Sequence, residues 1–157
     1  MADGPGFRTS IYCAGCAHHC PGCHNPQSWD FNGGRLVSVD ELLEVVKADE
    51  FANVTFSGGD PLYQVEAFTE LARIIKSESD KTIWCYTGFT FEEIAADERL
   101  SQILPWIDVL VDGPFVAAER DATLLFRGSR NQRLIDVPAT LKAGIITHWR
   151  SAFALAA

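Results

Sequence analysis

NVTFSGGDPLYQVEAFTELARIIKSESDKTIWCYTG, residues 53–88, contains a strand, a helix and a second strand in succession. NVTFSGG is a short apolar strand that ends in glycines, and KTIWCYTG is another strand closed by Gly88. Between them, residues 65–78 repeat apolar side chains at helical spacing: Phe68, Leu71, Ala72 and Ile75. This order predicts two parallel strands joined by a right-handed crossover.

Two further strands are predicted outside this unit. Apolar and polar residues alternate in GFRTSIYCA, residues 6–14, which places Phe7, Ile11 and Cys13 on one face. WIDVLVDG, residues 106–113, is another apolar run of strand length. Because helices separate the strands, the sequence predicts an α/β fold with a mostly parallel sheet.

Two more helices are predicted at residues 38–48 and 90–104. Each begins with a capping box, in which Glu follows a Ser or Thr by three residues. The pairs are Ser38 with Glu41 and Thr90 with Glu93. We therefore expect both helices to begin at these residues.

Length and charge limit the architecture and the partners. The 157 residues can form one domain with a sizeable core. They are too few for a complete eight-stranded barrel, which takes about 250 residues, so we expect any barrel to be partial. A formal net charge of −8 repels a phosphate backbone, so nucleic acid is not an expected partner.

The cysteines are concentrated in CAGCAHHCPGCHN, residues 13–25, and only Cys85 lies elsewhere. We expect no membrane span and a cytoplasmic location, because the sequence has neither an apolar run of about 18 residues nor a secretory signal pattern. In that reducing compartment, clustered thiols bind metals or carry out redox chemistry more often than they form disulfides. The cluster is therefore a predicted functional site.

Each conspicuous loop follows a predicted strand. The cysteine loop follows the first strand, and residues 57–61, 87–88 and 112–114 follow the other three. Ligands of parallel sheets bind beyond the carboxyl ends of the strands. We therefore expect these loops to form one pocket.

The cysteine spacing favours an iron–sulfur cluster over zinc. A zinc ribbon separates its cysteine pairs by about 15–20 residues, whereas only residues 17–19 lie between Cys16 and Cys20. Cys16, Cys20 and Cys23 form one compact set, and three thiolates on a four-iron cluster leave one iron open for a ligand. A structural zinc knuckle is the alternative. Cys13 is predicted to be a buried, inert thiol, and Cys85 a core residue.

Six motifs, taken together, resemble a known family. The spacing of Cys16, Cys20 and Cys23 is similar to the signature of the radical S-adenosylmethionine enzymes. Within that superfamily, the chain resembles the activating proteins of anaerobic (class III) ribonucleotide reductases. The motifs are DGPGFR at 3–8, GCAHHCPGCHN at 15–25, SGGDPL at 57–62, WCYTGF at 84–89, DVLVDGPF at 108–115 and FRGSRNQR at 126–133. The resemblance covers about residues 3–137 and leaves 138–157 unassigned.

The resemblance implies one domain over residues 1–157, a partial (β/α) barrel of the radical SAM type. Cys16, Cys20 and Cys23 would hold a 4Fe-4S cluster whose open iron binds S-adenosyl-L-methionine. An electron from a donor such as flavodoxin or ferredoxin would then release methionine and a 5′-deoxyadenosyl radical. That radical would take a hydrogen atom from a glycine-bearing loop of the large subunit of anaerobic ribonucleotide reductase. The activity implied is that of a glycyl-radical-enzyme activating oxidoreductase.

The resemblance also implies cofactor-binding residues. The segment expected to hold the methionine amino group consists of Ser57, Gly58, Gly59 and Asp60. His24 stands where the family often has an aromatic residue and would pack near the adenine. Thr87 and Asp112 resemble positions that, in related activases, help to bind the cofactor or a monovalent cation.

Several alternatives remain open. The chain is also compatible with an activase of another glycyl-radical enzyme, such as pyruvate formate-lyase, or with a non-enzymatic metal-binding module. FRGSRNQR is compatible with a solvated hairpin or with arginines that face a partner's carboxylates. The arginines are Arg127, Arg130 and Arg133. In the tail, the spacing of Ile145, Ile146, Trp149 and Phe153 is compatible with a docking helix.

Overall fold

The computed structural model describes residues 3–150, in which five strands form one sheet. The strands are β1 (Arg8–Cys13), β2 (Asn53–Gly58), β3 (Ile83–Tyr86), β4 (Val109–Asp112) and β5 (Arg133–Asp136). They lie in sequence order, with β1 to β4 parallel and β5 antiparallel to β4. The prediction of an α/β fold with a mostly parallel sheet is confirmed. The antiparallel β5, which begins at the last residue of FRGSRNQR, was not predicted.

The helices are α1 (Val39–Ala48), α2 (Val65–Glu78), α3 (Phe91–Ala96), α4 (Glu98–Ser101) and α5 (Val137–Ala143). Both predicted capping boxes are present. At α1, the backbone N–H of Glu41 donates to the Ser38 hydroxyl, and the Glu41 carboxylate accepts from the Ser38 N–H. Thr90 and Glu93 make the same pair of bonds at α3. Each box satisfies N–H groups that a helix start would otherwise leave unpaired.

The prediction of one continuous helix over residues 90–104 is wrong. The chain leaves helical geometry at Asp97, where φ is −106° and ψ is 118°. Its carboxylate accepts hydrogen bonds from the N–H groups of Arg99 and Leu100 and thereby begins α4 as a separate helix. Asp favours this role because its short side chain reaches the free N–H groups of the following turn.

The main core lies between the helices and one face of the sheet. The apolar stripe predicted on α2 is buried in full, and it packs against residues of β2, β3 and β4. The buried strand residues include Val54, Phe56, Ile83, Cys85 and Leu110. Cys85 is a core residue, as predicted. Phe7, which was predicted to share one face of the first strand with Ile11 and Cys13, lies before the strand and is 83% exposed.

The opposite face of the sheet carries a second apolar cluster. Trp84, Val109 and Val111 are buried there, because successive strand residues point to opposite faces. The ring of Trp84 contacts the rings of Phe126 and Trp149, with centroids 5.4 and 4.9 Å apart. This cluster covers the face of the sheet that lies opposite α2.

The docking helix considered for the tail is not formed within residues 145–150. The chain turns back after α5 at Gly144, whose φ is 71°. It then runs beside β5, where the N–H of Asp136 donates to the carbonyl of Thr147 at 2.9 Å and that of Trp149 to the carbonyl of Leu134 at 2.8 Å. Phe153 lies outside the described residues. Between residues 3 and 150, no helix combines the length and apolar character needed to cross a membrane.

Candidate functional site

A cavity of about 620 Å³ lies beyond the carboxyl ends of the strands. Loops after β1, β2, β3 and β4 contribute to its wall, and the volume falls in the range typical of ligand sites. The predicted site residues that line it are Cys16, Cys20, Cys23, His24, Ser57, Gly58, Gly59, Asp60 and Thr87. Asp112 is not part of the lining. The fold therefore brings all but one of these residues to one cavity.

The cysteine loop is held by backbone hydrogen bonds. The N–H of Gly15 donates to the carbonyl of Ser28 at 2.8 Å, and that of Cys16 to the carbonyl of Trp29 at 3.2 Å. Gly15 has a φ of 104°, which side chains rarely adopt, and a Cβ there would lie 2.4 Å from the ring of Phe31. Glycine is therefore required at the point where β1 enters the loop.

Backbone N–H groups lie near the sulfur atoms of two thiols of the loop, Cys16 and Cys23. All are free, and the N–H of Asn25 donates to Sγ of Cys23 at 3.4 Å. Burial raises the pKa of Cys16, and backbone N–H groups of His18 and His19 oppose that shift. Hydrogen bonds of this kind stabilise a thiolate and are typical around iron–sulfur clusters.

Within residues 3–150, no three His, Cys, Asp or Glu side chains converge closely enough to hold a single metal ion. A cluster makes a different demand, because its irons are spread over several ångströms and each takes its own thiolate. Three thiols from one loop that line one cavity fit that demand.

Cys13 and Cys85 lie in different environments from these three thiols. Cys13 is half-buried at the end of β1 and packs against the main core. Burial, with a smaller contribution from the nearby carboxylate of Asp60, raises its pKa to about 12. Burial also raises the pKa of Cys85 well above its ordinary value. Both thiols are therefore protonated, and hence weakly nucleophilic, at neutral pH.

The glycines after β2 allow its loop to contact the cysteine loop. A Cβ on Gly58, whose φ is 103°, would lie 2.4 Å from the backbone nitrogen of Cys13. A Cβ on Gly59 would lie 2.5 Å from the carbonyl oxygen of Gly15. Two backbone bonds join the loops, from Gly59 N–H to Cys13 at 2.7 Å and from Asp60 N–H to Gly15 at 2.9 Å. These glycines therefore let the backbone of the loop after β2 pack directly against the backbone of the cysteine loop.

The carboxylate of Asp60 is 1% exposed and accepts hydrogen bonds from several protein groups. Its Oδ1 accepts from the N–H of Leu62 at 2.9 Å. Its Oδ2 accepts from Thr87 Oγ1, from the N–H of Gly88 and from Nε2 of His18, each at 2.9 Å. A ligand ammonium at this carboxylate would have to share it with these donors.

Asp112 is engaged outside the cavity lining. Its carboxylate accepts from the N–H of Phe91 at 2.8 Å and from Nε of Arg133 at 3.0 Å. Arg133 also bonds Glu92, and the two carboxylates raise the pKa of its guanidinium. A monovalent cation at Asp112 would therefore compete with a guanidinium.

The other arginines of FRGSRNQR also have protein partners. Arg127 donates to the carbonyl of Gln132 at 2.6 Å, and Arg130 pairs with Asp121 at 3.1 Å. Their segment forms a turn that is linked to the chain before it by an antiparallel bridge between Arg120 and Ser129. The sequence alone did not distinguish these internal partners from a binding partner's carboxylates.

Several residues of the cavity were not predicted from the sequence. Tyr12 lines it and donates from its hydroxyl to Asp3 at 2.7 Å. Alternation along β1 could have identified Tyr12, because it must point away from the face of Ile11 and Cys13. Phe115, from DVLVDGPF, contacts the ring of His24 with centroids 5.5 Å apart. No local signal marks that contact, which joins loops distant in sequence.

Comparisons with known proteins agree with this geometry. The family model of a 4Fe-4S single cluster domain matches residues 2–135. A protein of Haemophilus influenzae is 37% identical over 140 residues, which cover 84% of this chain and 89% of that protein. One from Escherichia coli is 35% identical, over 84% of this chain and 90% of its own. One from enterobacteria phage T4 is also 35% identical, with coverages of 85% and 86%.

All three relatives carry the name anaerobic ribonucleoside-triphosphate reductase-activating protein. The matched region includes the cysteine loop, the loops that meet it and the strands that position them. This chain belongs to the family of anaerobic ribonucleoside-triphosphate reductase-activating proteins and contains its 4Fe-4S single cluster domain.

Proposed function

We propose that this chain activates an anaerobic ribonucleoside-triphosphate reductase by generating a glycyl radical on its large subunit. The observation that carries the proposal is the position of three free thiols from one loop at the cavity beyond the strands. The names of the relatives supply the target.

Cys16, Cys20 and Cys23 would hold a 4Fe-4S cluster, and S-adenosylmethionine would occupy the remainder of the cavity. When bound, the reduced cluster supplies the electron that splits S-adenosylmethionine into methionine and a 5′-deoxyadenosyl radical. The residues of this chain bind and orient the cofactors and exclude water. A donor such as flavodoxin or ferredoxin would reduce the cluster.

The cofactor would be oriented by the predicted residues of the lining. The segment 57–60 would face the amino end of the methionine, with Asp60 contributing charge while keeping its protein donors. His24 and Phe115, whose rings are in contact, offer an apolar and aromatic surface that suits an adenine. Thr87 would act through its bond to Asp60. Asp112 lies outside the lining and would support cofactor binding indirectly, by holding the end of β4 in place.

We also propose that the sheet is a partial (β/α) barrel of the radical SAM type. In support, β1 and β5 are the two ends of an open five-stranded sheet. Such a sheet leaves a side through which a glycine-bearing loop of the reductase could enter, whereas a complete barrel closes that side with further strands. The five free cysteines are typical of a reducing compartment and support a cytoplasmic location.

The decisive experiment begins with anaerobic reconstitution of the full chain. We expect a brown protein that, once reduced, converts S-adenosylmethionine to 5′-deoxyadenosine, and that loses this activity when Cys16, Cys20 or Cys23 is changed to Ala. The protein is then mixed separately with an anaerobic ribonucleotide reductase and with pyruvate formate-lyase. A glycyl radical detected by electron paramagnetic resonance on the first alone supports the proposal. A radical on pyruvate formate-lyase alone would show that the chain activates that enzyme instead. Zinc in place of iron would refute the proposal.

A further inference from the structure

His18 lies within the cysteine loop, but its side chain contacts other loops. Its Nε2 is 2.9 Å from Oδ2 of Asp60, which follows β2. Its ring packs edge-on against Phe89, after β3, with centroids 4.6 Å apart, and lies 5.6 Å from the ring of Tyr63. One imidazole therefore connects the segment between Cys16 and Cys20 to two other loops of the cavity.

Asp60 receives bonds from the same three parts of the chain. Leu62 follows β2, Thr87 and Gly88 follow β3, and His18 belongs to the cysteine loop. The donors from the first two parts are backbone N–H groups and a hydroxyl, so they keep the buried carboxylate satisfied without His18. Loss of the imidazole should therefore spare the fold and release the loop.

Gly88 makes room for this imidazole. A Cβ on Gly88 would lie 2.5 Å from Cδ2 of His18. The φ of Gly88 is not in the left-handed region, so the backbone itself accepts other residues there. Contact with His18 is what excludes a side chain at this position.

The neighbouring histidine has a different environment. His19 packs edge-on against Trp29, with centroids 4.8 Å apart, and its φ is 47°. Trp29 follows the cysteine loop in sequence and accepts a bond from Cys16 N–H at 3.2 Å. His19 therefore packs against the same local segment of chain and provides a control for His18.

We propose that His18 and Asp60 form a positioning pair, which fixes the Cys16–Cys20 segment against the loops after β2 and β3 and so sets the direction in which these thiols face the cavity. The part that concerns a cluster rests on the proposed function. The ordering of the loop does not, because the pair is made by side chains of this chain alone. His18 acts only as a positioning residue, whereas Asp60 holds the loop in addition to its proposed contact with the cofactor.

The first test compares three full-length variants. His18→Phe keeps a ring against Phe89 and removes the donor to Asp60. His18→Gln places an amide nitrogen near the position of Nε2 and should restore the bond. His19→Asn is the control, because Asn tolerates a positive φ.

The first measurement is hydrogen exchange of the amides of residues 16–20 in the cluster-free chain. We expect His18→Phe to exchange about tenfold faster than wild type, a factor that corresponds to one hydrogen bond to a charged group. His18→Gln and His19→Asn should stay within about twofold of wild type. Equal exchange rates in His18→Phe and wild type would contradict the proposal that the pair of His18 and Asp60 orders this segment.

The second measurement is made on reconstituted protein. His18→Phe should still take up iron, since all three thiols remain, but the electron paramagnetic resonance line shape of its reduced cluster should differ and change less when S-adenosylmethionine is added. Its rate of cofactor cleavage should fall about tenfold. Recovery of the line shape in His18→Gln supports positioning, and a wild-type line shape in His18→Phe contradicts it.

A double-mutant cycle tests the contact with Gly88. Gly88→Ala should displace the imidazole and increase exchange about as much as His18→Phe does. In the His18→Ala background the added methyl has space, so the second substitution should add little. Additive effects would mean that Gly88 and His18 act independently, against the proposal. If wild type binds no cluster, the proposed function fails, while the exchange data still decide whether the pair orders the loop.

Discussion

Arg133 at the start of β5 donates to both carboxylate oxygens of Asp112 at the end of β4, with Nε 3.0 Å from Oδ1. The two residues are directly opposite each other in the antiparallel register. Asp112 is 1% exposed, and Arg133 also reaches Glu92 on α3. This guanidinium therefore joins the last strand and a helix to the strand end nearest the cavity.

Replacement of Arg133 by Ala should destabilise the protein strongly. It leaves the buried Asp112 carboxylate without its cation, and we expect a loss of about 3 kcal/mol in the free energy of unfolding. That figure is at the low end for a buried pair, because the arginine is 28% exposed. Glu92→Gln, which removes the exposed partner, should cost less than about 1 kcal/mol. Urea unfolding at pH 7 measures both losses. Equal losses would contradict the larger contribution expected from the buried pair of Arg133 and Asp112.

Acid should destabilise the fold in part through Asp121. Its pKa is lowered to about 2, first by the hydroxyl of Thr123 and also by Arg130. A carboxylate with a depressed pKa contributes stability above its ordinary pKa and loses that contribution as the pH falls through the folded value. The midpoint of unfolding should therefore decrease as the pH is lowered from about 4 to about 2.

Thr123→Val tests the origin of that shift. Removal of the hydroxyl should raise the pKa of Asp121 toward its ordinary value, as measured by nuclear magnetic resonance titration. An unchanged pKa would show that the backbone N–H of residue 123, which the variant keeps, and Arg130 account for the shift.

The cysteines should divide into two groups by their effect on iron content. Ala at Cys16, Cys20 or Cys23 should reduce iron after anaerobic reconstitution from about four per chain to near zero. Cys13→Ala should retain it, because that thiol packs against the core. Iron analysis and visible absorbance measure both. Loss of iron in Cys13→Ala with an unchanged fold would mean that a fourth thiol binds.

The thiol of Cys13 should resist alkylation. With a pKa raised to about 12 by burial, it is almost wholly protonated at pH 8. Iodoacetamide should modify it at least about a hundredfold more slowly than free cysteine, as followed by peptide mass spectrometry of the cluster-free protein. Rapid labelling of a folded sample would show that the end of β1 opens.

Gly58→Ala should be more destabilising than Gly6→Ala. Both positions have a positive φ, at 103° and 73°, so each substitution introduces backbone strain of about 1–2 kcal/mol. Only at Gly58 would the new Cβ also collide with the backbone of Cys13, while Gly6 has nothing within 4 Å. Thermal unfolding of the two variants separates strain from collision, and equal shifts in melting temperature would refute the close contact.

Local periodicity predicted the regular part of the fold well. The α2 stripe and both capping boxes are present because they depend on residues three or four apart. The helix break at Asp97 was missed because one capping side chain overrides a longer helical pattern. β5 was missed because only two of its residues, Leu134 and Ile135, are apolar and its strand conformation depends on pairing with β4.

The candidate site was also predicted in part from the sequence. The end of each parallel strand indicated which loops meet, and all but Asp112 of the predicted residues line the cavity. His18 lies between two of the cysteines in sequence, but its side chain contacts residues more than 40 positions away. Spacing along the chain carries no information on such contacts.

The backbone bonds from Gly59 to Cys13 and from Asp60 to Gly15 have a practical consequence for protein engineering. Segments 13–16 and 57–60 share one contact surface of main-chain atoms, with no side chain between them to absorb a change. Neither segment can be transplanted from a relative by itself without misfit. Chimaeras should exchange the two as a single cassette.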